Sequence, residues 1–538
     1  MTNDKENVFA GEQHGEHHQE LNRREFLRET GRTLSMALAS AGIFYEIIDN
    51  IAQKPEQVAF ADGGPSPQEQ QPLPQEQYVI PSTRILNVNS AGLVSSGPDT
   101  IPVVAHPLHN HIITAKVNVP ANAKSLQEAQ HLLESVLQSV EQQFPPTTLN
   151  GVDIVVTWGL PYFHQYIPIL GKSSSFFQVG TRYPDYMPID LATSKTEGRT
   201  VYAVQEARTF PSDQPPAGFG PVHLEQNDVA VTLHSDSLDN ILAATNAIFG
   251  TGSNQAGSLF NVTSIRRGST GGGFYGQQSI PRKVALAAKI PGAESIPLHA
   301  QGFLGFSTTL QANMAPGNIP SLETIPGQTN QWPNGYFKRG TTMQLSHLFQ
   351  DLEAWYGRGS QISTFPEHVR AMFKPGLSAA PETTTLNPPV EFNASNVVQD
   401  VQKYHSYGHS GSMQPIVRQA TPTTTNYGEV YPTGIAVSAR GDFDTVDNPF
   451  YYTSNPVENH FSTKPAAGLH FVIFQPTIGN FNRTRLAMDG YYPDGTVLKL
   501  SPRSADAGIN SILYTTHRQN YLVPPRSHRS FPLAEFLT

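Results

Sequence analysis

The stretch Tyr407–Arg418, YGHSGSMQPIVR, sets one imidazole, His409, between glycines in an uncharged turn. Glycine lets the chain bend sharply and leaves room beside a ring. An imidazole in such a place is either a solvated side chain or a ligand held out toward a metal. His405 lies four residues earlier, a spacing that would serve a metal on one helix face, although Gly408 and the Ser-Gly run oppose a helix there. A second group, His106, His109 and His111 in HPLHNH, puts three imidazoles within six positions. These could hold copper or zinc, while Pro107 and the polar neighbours read equally well as a solvated loop. The run Ser264–Ser279, SIRRGSTGGGFYGQQS, has the glycines of a phosphate cradle but no following Gly-Lys-Ser/Thr. Without the strand–helix frame that such cradles need, it reads as a loop near a pocket or on the surface. His517-Arg518 and His528-Arg529 form basic edges near the C-terminus.

The totals narrow the chemistry. The 538 residues carry a formal net charge of −9 from 35 basic and 44 acidic side chains. That balance gives no nucleic-acid footprint. There are no cysteines, so disulfides, thiolate metal sites, a cysteine nucleophile and a CxxCH attachment are all excluded.

The first 61 residues read as an address rather than as structure. Arg23-Arg24 precede Phe26-Leu27, an apolar run follows from Leu34 to Tyr45, and small residues stand at Ala59 and Ala61. This is the pattern of a twin-arginine export signal cut after Ala61. The apolar run is short for a membrane span. The twin-arginine machinery carries folded proteins across the cytoplasmic membrane, commonly with a cofactor already inserted. Residues 62–100 are rich in Pro and Gln and are expected to form a disordered linker, with the globular part starting near Ile101.

Beyond that point, helix and strand patterns alternate. Ala123–Phe144 has apolar residues at helical spacing, and Gly151–Phe163 begins as an apolar strand. Val229–Leu233 reads as a strand followed by a helix capped by Asp236 or Ser237. Gln344–Gly357, QLSHLFQDLEAWYG, reads as a helix. His470–Gln475 reads as a strand with a helix after it. The order suggests two α+β sandwiches.

Taken in sequence, several segments resemble the dye-decolorising (DyP-type) haem peroxidase superfamily. These are IVVTWGLPYF, QNDVAVTLHSDSLDNIL, QGFLGF at Gln301–Phe306, NGYFKRGTTMQLSHLFQDLEAW, GHSGSMQPIVR, SARGDFD, AAGLHFVIFQPTIGNF and QNYLVPPRSH, which together cover most of residues 105–530. The resemblance implies an α+β fold of two ferredoxin-like modules, residues 101–300 and 301–538, forming a dimeric α+β barrel-like unit. It also implies antiparallel sheets with packed helices, and haem b in the second module. It implies that His409 is the proximal iron ligand and Arg440 the distal arginine. A neutral imidazole gives iron one strong axial bond and leaves the other face open. Arginine keeps its charge at any working pH and stabilises a developing anion. The implied partners are hydrogen peroxide and a small organic donor, and a homo-oligomer is compatible with the family.

One departure stands out. Where the superfamily carries Gly-Phe-Lys-Asp-Gly, this chain has Gly305-Phe306-Ser307-Thr308-Thr309, which lacks the distal aspartate. A hydroxyl is a poor proton acceptor, and Glu323 is a candidate stand-in. The rival expectations are a haem-binding protein that has lost catalysis and a copper protein built on the histidine clusters. For the leader, replacing Arg23 and Arg24 with lysines is expected to hold precursor in the cytoplasm, and normal export of that variant on fractionation would refute the twin-arginine assignment.

Overall fold

The computed structural model describes residues 72–89, 92–167, 186–214, 221–305, 314–361, 394–404, 407, 416–447, 465–499, 501 and 505–537. Arg23, Arg24, Ser307, Thr308, Thr309, His405 and His409 lie outside these residues. The strands are β1 (Arg84–Val88), β2 (Ile101–Ala105), β3 (His109–Val117), β4 (Asp153–Gly159), β5 (His223–Leu224), β6 (Val229–Ser235), β7 (Phe260–Ser269), β8 (Thr341–Gln350), β9 (Thr423–Thr424), β10 (Val430–Tyr431), β11 (Ala439–Arg440), β12 (Phe443–Thr445), β13 (Gly468–Gln475) and β14 (Leu513–Val523). Four helices matter most: α1 (Ala123–Gln143), α2 (Leu238–Phe249), α3 (Leu352–Gln361) and α4 (Ile478–Met488).

Two βαββαβ units use these elements in the same way. The first runs β3-α1-β4-β6-α2-β7 and pairs its strands in the order β7-β3-β6-β4. The second runs β8-α3-β12-β13-α4-β14 and pairs them in the order β14-β8-β13-β12. Both are ferredoxin-like, as the sequence implied. The units then join edge to edge, with β4 on β14 and β12 on β7. The eight strands close a ring of antiparallel pairs, a barrel with helices on its outer surface.

Local sequence explains the pieces. Leu126, Ala129, Leu133, Val136, Leu137 and Val140 line one buried stripe of α1, and the Asn122 side chain accepts from Ser125 N–H at its start. Ser237 rather than Asp236 caps α2, accepting from Asn240 N–H. Asp236 instead accepts from Leu108 N–H at 3.0 Å and pairs with Arg84 at 2.9 Å.

Two expectations need correction. Gln344–Gly357 is not one helix: β8 runs to Gln350 and α3 starts at Leu352. Both faces of β8 are covered, so its apolar residues do not alternate cleanly and mimic a helical stripe. Its partners on both sides, β13 and β14, fix it as a strand. The folded part also includes residues before Ile101. β1 pairs with β2, Gln77 bonds to both backbone groups of Val156 and to Pro524 O, and buried Tyr78 bonds to Ser321. A Gln that satisfies backbone groups inside a barrel end looks, by composition, like linker.

The barrel interior holds Ile112, Val155, Ala230, Met343, Leu345, Val472, Phe474 and Tyr521, and also a row of imidazoles. Phe443, His470, His347 and His517 are register partners across four strands. The His347 and His470 rings are 4.1 Å apart and those of His347 and His517 6.0 Å. His517 Nδ1 lies 2.8 Å from Glu225, which also accepts from Arg266 at 2.6 Å. Burial alone would raise the Glu225 carboxyl, but the Arg266 guanidinium and the His517 bond hold it well below the usual range. Burial, reinforced by Arg266, pushes His470 far below its ordinary value, so it stays neutral. Below a pH of about 6.5 the unfolded chain therefore takes a proton that folded His470 refuses. His470→Leu removes this penalty. Relative to parent, the variant is expected to gain up to ~1.4 kcal/mol of stability per pH unit as pH falls from 6.5. Urea midpoints at pH 7.5 and 5.5 measure it; a constant difference between the two proteins would contradict it.

Candidate functional site

The strands that face histidines into the barrel face a cleft on their other side. Ser346, Leu348 and Gln350 of β8, and Leu469, Phe471 and Ile473 of β13, form its floor. Phe481, Thr484, Arg485 and Met488 of α4 form one wall. Gln301–Leu304 and the turn Arg440–Asp444 form the opposite rim, with His106 beside them. The cavity volume is about 230 Å³, with a mouth that opens to solvent.

The rim is built tightly. Asp444 accepts from Phe303 N–H at 2.7 Å and from the Gln350 amide at 2.8 Å. A Cβ on Gly302 would stand 2.7 Å from Asp444 Oδ2, so only glycine lets the loop approach. Trp355 donates to Leu304 O at 3.0 Å and Tyr356 to Phe303 O at 2.6 Å. The strand β7 absorbs Ser264–Ser269 of the glycine-rich run, and the following Gly271 turns with φ +69° and lines the cleft. That run is neither a phosphate cradle nor wholly a loop.

Charge in the cleft is strongly patterned. Four arginines line it: Arg418, Arg440, Arg485 and Arg518. Arg518 donates to Asp213 at 2.6 Å, and Arg485 to Asp489 at 2.7 Å. Arg418 donates to Gly434 O at 3.0 Å, and burial together with the Arg440 charge pushes it down to about 10. Burial lowers Arg440 while Asp442 opposes the shift. Asp442 accepts from Val472 N–H at 2.8 Å and is raised by burial to about 6 despite Arg440. Burial raises Asp444 to about 7.

The expected residues separate. Arg440 and the start of the QGFLGF loop do meet in one cleft. Val417 and Arg418, just beyond the His409 segment, also line it. Tyr407, on the other side of that segment, is buried with its hydroxyl bonded to Ala487 O beside α4's last turn. Glu323 stands elsewhere: it accepts from Arg339 N–H at 2.8 Å and from the Tyr427 hydroxyl at 2.9 Å and does not line the cleft. The three N-terminal histidines do not converge. His106 borders the cleft, whereas His111 Nδ1 lies 3.3 Å from the Thr245 hydroxyl of α2. Among the described residues no group of three or more metal-binding side chains is arranged around a metal. Arg529 pairs with Glu134 and Glu141 away from the cleft, and His528 stacks on Tyr336. Sequence reasoning missed Asp442 and Asp444; the alternating acids of Arg-Gly-Asp-Phe-Asp were the available signal.

The donor set suits a flat apolar ligand that carries carboxylates. An aliphatic and aromatic floor meets the ring, and arginines at the edge meet the acids. Haem matches this description by its apolar faces and its carboxylates.

Residues 198–525 match the model of a family of unknown function, DUF7405. No sequence among the curated proteins matches the chain. The chain is similar to several solved structures. Ferric DtpA from Streptomyces lividans is 14% identical, with 78% of this chain and 90% of that chain covered at a TM-score of 0.41. The DyP-type peroxidase from Cellulomonas bogoriensis is 11% identical over 78% and 90% at 0.43. The encapsulated DyP-type peroxidase from Mycobacterium smegmatis is 9% identical over 79% and 95% at 0.41.

Proposed function

The chain belongs to the DUF7405 family, and we propose that it is an exported haem protein that uses hydrogen peroxide to oxidise small organic donors. The carrying observation is Arg440, half-buried at the rim of an apolar, arginine-edged cleft on the second ferredoxin-like unit. The resemblance assigns that arginine to the distal side of haem b.

The roles follow from chemistry. Leu348, Leu469, Phe471 and Ile473 exclude water from the floor. Arg418 lies at the edge with Arg440, whereas Arg485 and Arg518 are held by Asp489 and Asp213. Arg440 stabilises negative charge on a peroxide oxygen as its proton leaves. His409, outside the described residues, is the proposed iron ligand, in a segment whose Val417–Arg418 end reaches the cleft. When bound, haem supplies the iron that passes electrons between peroxide and donor.

Ligand loss tests this reading. His409→Ala is expected to lose most of its haem, measured per chain by pyridine haemochrome, while keeping the far-UV circular dichroism of the parent. His405→Ala is expected to keep its haem. Equal haem in parent and His409→Ala would remove the ligand assignment.

A further inference from the structure

The proposed reaction needs a group that takes a proton from peroxide, and the segment Ser307–Thr309 offers no carboxylate. Arg440 remains charged and cannot accept one. His106 borders the cleft, but both its ring nitrogens are shut away from it. Among the described residues two carboxylates line the cleft, Asp442 and Asp444.

Bonding separates the two. Asp444 is buried and both its oxygens are taken, one by Phe303 N–H and the other by the Gln350 amide. Asp442 is half-buried. Its Oδ1 accepts from Val472 N–H at 2.8 Å, and among the described residues its Oδ2 accepts from nothing. One oxygen fixes the side chain on β13, and the other is left to what enters the cleft.

Strand geometry puts this carboxylate on the same face as Arg440. β11 ends at Arg440, paired with Ile473, and β12 begins at Phe443, paired with His470. Gly441 N–H donates to Val472 O at 3.0 Å, so the chain between them stays on β13. Successive side chains point to opposite faces. A Cβ on Gly441 would lie 3.9 Å from Val472 and 4.0 Å from Phe474, and Phe443 packs with the same barrel-interior residues. Arg440 and Asp442 therefore share the cleft side.

We propose that Asp442 takes the proton of hydrogen peroxide in the cleft, with Arg440 stabilising the anion that forms. This rests on the haem-peroxidase reading above. The step moves one proton and no electrons: hydrogen peroxide becomes hydroperoxide, and the carboxylate becomes a carboxylic acid. Negative charge passes from Asp442 to peroxide, so Arg440 faces one anion before the step and one after it. Burial raises Asp442 to about 6 against the Arg440 charge. It is therefore ionised at neutral pH yet a stronger base than an ordinary carboxylate. Its charged neighbours are Arg440, with Arg418 beyond it, and Asp444 two residues on. The loop Gln301–Leu304 carries no charge, and the one titratable group of β13 is His470, neutral on the barrel side.

The test uses haem-loaded full-length protein. Parent, Asp442→Asn and Asp442→Glu are compared in haem per chain, in the rate of reaction with peroxide across pH, and in the association rate of hydrogen cyanide followed in the Soret band. Asparagine keeps an oxygen for Val472 N–H, and glutamate keeps the carboxylate. Hydrogen cyanide must also give up a proton on binding, so it reports the base without turnover. In Asp442→Asn, unchanged haem with both rates down about 10²-fold or more is expected, the usual range for general-base help being ~10²–10⁴. The parent rates are expected to rise through a step near pH 6 that the Asn variant lacks, and Asp442→Glu to recover much of the loss. Full haem with parent-like rates and the same step in Asp442→Asn overturns the assignment. Equal losses in the Asn and Glu variants overturn it too, by making Asp442 a support of the turn, as does haem lost from Asp442→Asn. A parent that holds no haem overturns the haem reading itself, and the assignment with it.

Discussion

The structure depends on closing two sheet edges at once. Each βαββαβ unit ends in edge strands whose N–H and C=O groups need partners. β4 finds β14 and β12 finds β7, so neither unit keeps an open edge at these seams. The second seam is thin, a pairing of Asp444 with Ser269. The same Asp444 carries the carboxylate that holds Phe303 N–H and the Gln350 amide. Barrel closure and the rim of the cleft thus share one residue, and the loop cannot move without disturbing the seam.

Strand geometry then divides the chemistry between two compartments. Successive side chains point to opposite faces. On β8 and β13, His347 and His470 face the barrel interior, while Ser346, Leu348, Leu469 and Phe471 face the cleft. Charges on the two sides are handled differently. Inside, Glu225 pairs with Arg266 and His517 in a self-contained group. Outside, Arg440 and Asp442 sit at the rim of a cleft with room for a ligand. A one-residue slip of β8 would exchange these faces. Its register is held on both sides, by β13 and by β14.

The sequence revealed the parts with clean periodicity. α1 was legible because six buried apolar residues recur at helical spacing, and β4 and β6 because they are short apolar runs with turn residues at their ends. β8 was misread because a strand buried on both faces has no alternation to display. The residues around Gln77 and Tyr78 were misread because these two act through long-range bonds that composition does not carry. At the site, Arg440 and the QGFLGF segment were placed by their likeness to a family. His106 was visible only as one of three neighbouring histidines. Nothing local says that the chain turns after β2 so that one histidine borders the cleft and the next but one, on β3, packs against a helix.

The central claim is that the cleft over β8 and β13 holds haem. Titration of haem-free protein with haemin tests it most directly, comparing the parent with Leu348→Trp, which fills the floor. The account predicts a Soret change that saturates at about one haem per parent chain and little change in a folded Leu348→Trp protein. Equal saturation of both proteins, or no Soret change in the parent, would contradict it.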